Sequence, residues 1–118
     1  SFLASSKKVG SLHVFTGVVP VDTPDNLRRI GDFLRDKDES IVAVLAAVRD
    51  GKITFHSVCG KAAVAAGVRA GDIIRSVTAI CGGKGGGKPD SAMGGGTDML
   101  KLDDALATVD DFVAGKLN

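Results

Sequence analysis

The sequence predicts an α/β domain, a small mixed β-sheet of three or four strands packed with helices. Three observations carry the prediction. Residues 41–48 (IVAVLAAV) are apolar at every position, the pattern of a central strand covered on both faces. On either side of that run lie a segment with helical apolar spacing and a segment that alternates as a strand. Last, a glycine-rich loop at residues 82–96 separates the last two predicted helices.

Residues 11–19 (SLHVFTGVV) read as the first strand, rich in β-branched and apolar types. A helix start follows: Thr23 suits the N-cap, Pro24 the first helical position, and Asp25 the positive end of the helix dipole. Leu27, Ile30, Phe33 and Leu34 then recur at helical spacing and are expected to face the core, with Arg28, Arg29, Asp32, Arg35 and Asp36 opposite. After the central strand, Asp50-Gly51 is a hairpin turn dipeptide. Residues 52–58 (KITFHSV) return as an antiparallel strand, with Ile53 and Phe55 on one face and Thr54, His56 and Val58 on the other.

Residues 62–67 are small and compatible with a short helix. Residues 70–81 carry a cleaner stripe at Ile73, Ile74, Val77, Ile80 and Cys81, and Gly82-Gly83 ends it. The final helix is expected over about residues 101–116, with Leu102, Leu106, Val109 and Val113 on one face. Asp103 and Asp104 in its first turn and Lys116 in its last favour its dipole. No internal repeat is visible, and 118 residues suit a single globular domain over residues 1–118.

Composition narrows the function classes. The chain is 44% hydrophobic and 25% charged, an ordinary balance for a folded domain. No apolar run approaches the roughly 20 residues of a membrane-spanning helix, so no membrane partner is expected. The chain does not open with Met, and SFLASSKK lacks the pattern of a secretory signal, which fits a piece of a larger protein. Cys59 and Cys81 stand 22 residues apart without a CxxC pattern, consistent with buried thiols in a reducing, cytosol-like compartment. The net charge of +1 conceals a split: residues 1–88 hold 13 Lys/Arg against 8 Asp/Glu, and residues 89–118 hold 2 against 6. A basic surface for a polyanion therefore fits the sequence, although a purely electrostatic DNA binder would be more basic overall.

The segment GGKGGGKPDSAMGGG places 8 of the 16 glycines within 15 positions. Ordering so many glycines costs backbone entropy, which a chain bears where backbone must approach a partner closely or adopt positive φ. Successive glycine amides can form concave nests for phosphate oxygens, and Lys84 and Lys88 would add point charges beside them. A Walker A loop is not formed: residues 82–88 satisfy GxxxxGK, but Pro89 stands where Ser or Thr would meet magnesium, and the loop follows a helix instead of a strand. A GxGxxG fingerprint fails as well.

Residues 71–96, GDIIRSVTAICGGKGGGKPDSAMGGG, resemble the signature of the DHH-associated domain. The GGKGGGKPDSAMGGG version is similar to the C-terminal (C-Ala) end of alanyl-tRNA synthetases. GKITFHSVC, GVRAGDIIRSV and KLDDALATVDDFV fall in the order that family shows, so the resemblance covers about residues 11–116. It implies a tRNA-binding appendage that grips the tRNA elbow in support of aminoacylation and editing. Catalysis, ATP and zinc would belong to other domains, with no cofactor in this chain. It further implies a cytoplasmic location, with a mitochondrial form as the alternative. Carried onto this chain, the candidate RNA contacts are Gly82, Gly83, Lys84, Gly85, Gly86, Gly87, Lys88, Pro89, Gly94, Gly95 and Gly96. Lys61, Arg69 and Arg75 are candidates to extend the basic surface. Duplex DNA is a second possible partner, and the oligomeric state is not legible.

Catalytic groups do not assemble in the sequence. His13 and His56 have no companion at zinc-ligand spacing, and Ser91 has no evident base. With no Trp or Tyr and five Phe, several of them expected in the core, base stacking is poorly supplied. Two alternatives stand beside the tRNA-binding reading: the substrate-binding half of a DHH-type phosphoesterase, which tends to place His where Lys88 stands, and a protein-interaction or dimerisation domain.

Overall fold

The structure, a computed structural model, describes residues 4–117; residues 1–3 and 118 lie outside the description. The strands are β1 (Ser5–Val9), β2 (Leu12–Val18), β3 (Ile41–Arg49), β4 (Lys52–Cys59), β5 (Lys84–Gly87) and β6 (Ser91–Gly96). The helices are α1 (Pro24–Lys37), α2 (Lys61–Ala65), α3 (Ala70–Ile80), α4 (Leu102–Ala107) and α5 (Val109–Leu117), with a 3-10 turn at Met99–Lys101 before α4. The strands form one sheet in the order β1-β2-β3-β4-β6-β5. Only β2 and β3 run parallel, joined by α1; the other pairs are antiparallel.

The α/β architecture holds, but the sheet is wider than the three or four strands expected. One addition, β1, pairs with β2 from Ser5↔Thr16 to Val9↔Leu12. The other addition corrects the glycine-rich loop. Residues 84–96 are not a loop but a β-hairpin, whose strand β6 pairs with β4 and whose strand β5 closes the sheet as an edge. The last helix is also divided. Thr108 Oγ1 donates to the Ala105 carbonyl at 2.6 Å, and α4 gives way there to α5. A Thr hydroxyl bonded back to a carbonyl three residues earlier commonly bends a helix.

Local chemistry explains the elements that match expectation. Thr23 sits extended at the N-cap of α1 and its hydroxyl accepts from the Asn26 amide at 3.1 Å, with Pro24 opening the helix. Asp50 (φ 52) and Gly51 (φ 74) make the two positive-φ positions of the β3–β4 hairpin turn.

The sheet is covered unequally. Val42, Val44, Ile53, Phe55 and Ala92 face α3, α4 and α5 in the larger core, with Ile73, Ile74, Val77, Leu102 and Val113 above them. On the other face, α1 alone covers β3 and β4, through Leu27, Ile30 and Leu34 against Leu45, Ala47 and Val58. Phe33 departs from the expected core set: it is 60% exposed on the outer side of α1. The inward position is taken by Gly31, whose missing side chain makes room for the imidazole of the fully buried His56 on β4.

Candidate nucleic-acid interface

The hairpin exists because α3 lies almost directly on its backbone. A Cβ at Gly71 would stand 2.7 Å from the Gly87 carbonyl oxygen, one at Gly85 2.6 Å from Ile74 Cγ2, and one at Gly94 2.7 Å from Thr78 Cγ2. A Cβ at Gly96 would meet Cys81 at 2.8 Å, and one at Gly83 would collide with the Gly95 carbonyl. Much of the glycine content is thus explained by helix–sheet packing. The nest geometry expected for successive glycine amides is not present, since Lys84, Gly85, Gly86 and Gly87 are extended in the ladder.

What the hairpin does offer is an edge. The Lys88 amide donates to the Ser91 carbonyl at 2.9 Å across the turn. Antiparallel alternation then directs the main-chain groups of Gly85 and Gly87 away from β6. Lys84 is exposed on the strand and Lys88 at its end. At roughly 3.3 Å per residue their Cα atoms stand about 13 Å apart.

The turn is anchored from three directions. The Ala70 and Gly71 amides at the start of α3 donate to the Pro89 and Lys88 carbonyls at 2.8 and 3.2 Å. The Cys59 amide donates to the Asp90 carbonyl at 3.1 Å, and the Arg35 guanidinium lies 3.5 Å from the Asp90 carboxylate. The first amides of α3 are therefore satisfied by protein.

Three of the expected cations meet beside this turn. Arg69, Arg75 and Lys88 line a recess with Gly71, Asp72, Gly87 and Pro89, and Asp72 pairs with Arg75. Three cations against one carboxylate leave the recess positive. The guanidinium of Arg75 also lies close to Gly86, 3.3 Å from where its Cβ would be. Lys61 is not part of this group. It opens onto a different recess with Arg35, Asp36, Glu39, Cys59, Val64, Ala65 and Asp90. Gly82 and Gly83 lie at the base of the hairpin. Gly95 and Gly96 sit inside the sheet opposite Thr54 and Ile53, and Gly94 opposite Phe55, so these three are less accessible than Lys84 and Lys88.

Several other polar groups have structural partners, whereas the buried His56 Nδ1 and Ser57 Oγ have none among the described residues. His13 Nδ1 lies 2.7 Å from Asp38 Oδ2, a contact that holds the Asp38 carboxyl below its usual range. His56 Nε2 lies 3.1 Å from Ser91 Oγ, tying β4 to β6, while burial depresses its pKa. Burial pushes the Cys59 thiol up to about 12, so it is not a thiolate at neutral pH. Among the described residues no three His, Cys, Asp or Glu gather as a metal site, and no helix is long and apolar enough to cross a membrane.

Sequence reasoning missed two residues of this region. Arg35, read as part of a solvated helix face, holds the hairpin turn. Phe33, read as core, is exposed. For Phe33 the available signal was its neighbour Gly31, two residues away, at the centre of the buried side.

These features define a sheet-and-helix domain whose glycine hairpin is clamped under one helix. The chain belongs to the DHHA1 domain family, whose model matches residues 12–115. It is similar to the C-Ala domain of alanyl-tRNA synthetase from Aquifex aeolicus, with a TM-score of 0.85 and 30% identity over 94% of this chain and 99% of that one. It is 39% identical over 110 residues to the alanine–tRNA ligase of Alkaliphilus oremlandii and 43% identical over 114 residues to that of Bordetella avium. These matches cover 93% and 96% of the chain but only 12% and 13% of the ligases, so the chain spans about an eighth of those relatives.

Proposed function

We propose that this domain binds the elbow of folded tRNA on behalf of an alanine–tRNA ligase, supporting aminoacylation and editing carried out elsewhere in that enzyme. The observation that carries the reading is the convergence of Arg69, Arg75 and Lys88 on one recess at the α3–hairpin seam, continued along the edge by Lys84. Cations placed on a rigid backbone suit phosphate contacts, which position a folded nucleic acid without reading its sequence. The outward main-chain groups of Gly85 add a donor and an acceptor that a side chain would otherwise shield, suited to phosphates and 2′-hydroxyls, whereas the Gly87 carbonyl packs against Gly71. The similarity to C-Ala domains supports tRNA as the polyanion.

The experiment is a gel shift of the chain with folded alanine tRNA at low and physiological salt, with Lys84→Glu/Lys88→Glu as the test variant. The variant is expected to bind more weakly and to show a smaller salt dependence, because fewer counterions are released. Its melting temperature should match the wild type, since both lysines are exposed. Unchanged affinity would remove the hairpin as the main contact. No binding by the wild-type chain at low salt would favour a protein-interaction role.

A further inference from the structure

We infer that Phe33 is a stacking platform for an exposed base face of the RNA, an inference that rests on the tRNA reading above and adds a second contact to it. Phe33 and Leu100 are the exposed large hydrophobic residues among those described, and Phe33, at 60% exposure, presents an aromatic ring. Phe15, Phe55 and Phe112 are all packed against or within the cores.

The charges around the ring select its occupant. Arg29 and Lys37 lie four residues before and after Phe33, one helical turn to either side on the same face. Lys37 Nζ stands 5.4 Å from the ring centroid, within cation–π range. The acids of α1 are engaged by other cations: Asp25 with Arg28, and Asp32 and Asp36 with Arg35. Arg29 and Lys37 enter no ion pair among the described residues and flank the ring, and with its three acids shared between Arg28 and Arg35 the helix keeps a net charge of +1.

The ring is a single apolar group flanked by charged side chains, not the contiguous patch of a few hundred Å² that marks many protein–protein sites. A platform one ring wide with a cation on each side fits a single base and its adjoining phosphates. Stacking on an aromatic ring tolerates any base, because every base has a π-face. Such a contact would supply binding energy without alanine-specific reading.

The absence of Trp and Tyr from the chain makes the test direct, because Phe33→Trp introduces its one tryptophan. Titration of this variant with folded tRNA should quench the indole emission while affinity stays near wild type. Phe33→Ala should weaken binding by about tenfold, a stacking-sized loss, with the melting temperature unchanged. Emission unaffected at saturating RNA, or a Phe33→Ala affinity equal to wild type, would overturn the inference and leave the tRNA reading standing. Failure of the wild-type chain to bind tRNA would sink both. Sedimentation gives a further check: a wild-type dimer that Phe33→Ala makes monomeric would assign the ring to a contact between copies instead.

Discussion

Gly71 on α3 and Gly87 on β5 meet backbone to backbone, so closely that a methyl group on Gly71 would stand 2.7 Å from the Gly87 carbonyl oxygen. The helix therefore rests on main chain instead of on an interdigitated layer of side chains. Gly71→Ala should force the two elements apart and cost about 1–3 kcal/mol, the usual range for overpacking. Urea unfolding monitored by circular dichroism measures this. A variant as stable as wild type would mean that the seam gives way without strain.

Gly115 on α5 is the opposite case, with nothing within 4 Å of an added Cβ and no positive φ. Gly115→Ala should stabilise the domain by about 0.5–1 kcal/mol through helix propensity. Gly51 is equally open but has φ +74, so Gly51→Ala should destabilise by about 1 kcal/mol. Melting curves of the two variants should move in opposite directions, and a shared direction would contradict the assigned backbone conformations.

Thr23→Ala removes the acceptor for the Asn26 amide at the start of α1. A loss of about 1 kcal/mol is expected, with Thr23→Ser or Thr23→Asp restoring most of it. Equal stability of the alanine and serine variants in urea melts would show that the cap is not formed in solution.

His56 makes stability depend on pH. Burial lowers its folded-state pKa below the ordinary 6.5. The unfolded chain therefore takes up the proton first as the solution is acidified. Stability is fully present above pH 6.5 and falls as the pH drops from there towards the depressed folded pKa. Asp38, whose pKa is also lowered, acts further down, where stability is lost as pH falls below 3.8. Urea midpoints at pH 7.5 and 5.5 should separate for the wild type and draw together for His56→Gln. Identical pH dependence in both proteins would show that another group is responsible.

The elements legible from sequence were those whose cause is local. Thr23-Pro24 and Asp50-Gly51 announce a cap and a turn through their own side chains and dihedrals, and the run of apolar residues in β3 announces cover on both faces. Elements created by tertiary contact were not legible. β1 carries Lys7 and Lys8 and buries little, because an edge strand with exposed residues shows no apolar alternation. The glycine hairpin has no β-propensity to announce it; Gly85 and Gly94 are required by α3 and Gly96 by Cys81 at its end, neighbours that spacing along the chain does not reveal. The break at Thr108 is hidden because the apolar stripe of Leu102, Leu106, Val109 and Val113 continues across it. Within the candidate site the lysines stood out by composition, but the grouping of Arg69 and Arg75 with Lys88, and the separation of Lys61, follow from the folded turn.

Strand β5, one lysine followed by three glycines, brings almost no side-chain contact of its own to the folding process. Its ladder becomes worthwhile only after α3 has docked and β6 has joined β4, so it is expected to organise late and to open first. Local opening of that kind costs less than global unfolding. Amide exchange at Gly85, Gly86 and Gly87 would then outpace exchange in β3. The edge strand beside the proposed RNA surface is in this way free to adjust to a partner, while the anchored turn keeps Lys88 next to Arg69 and Arg75 and the central strands stay shut.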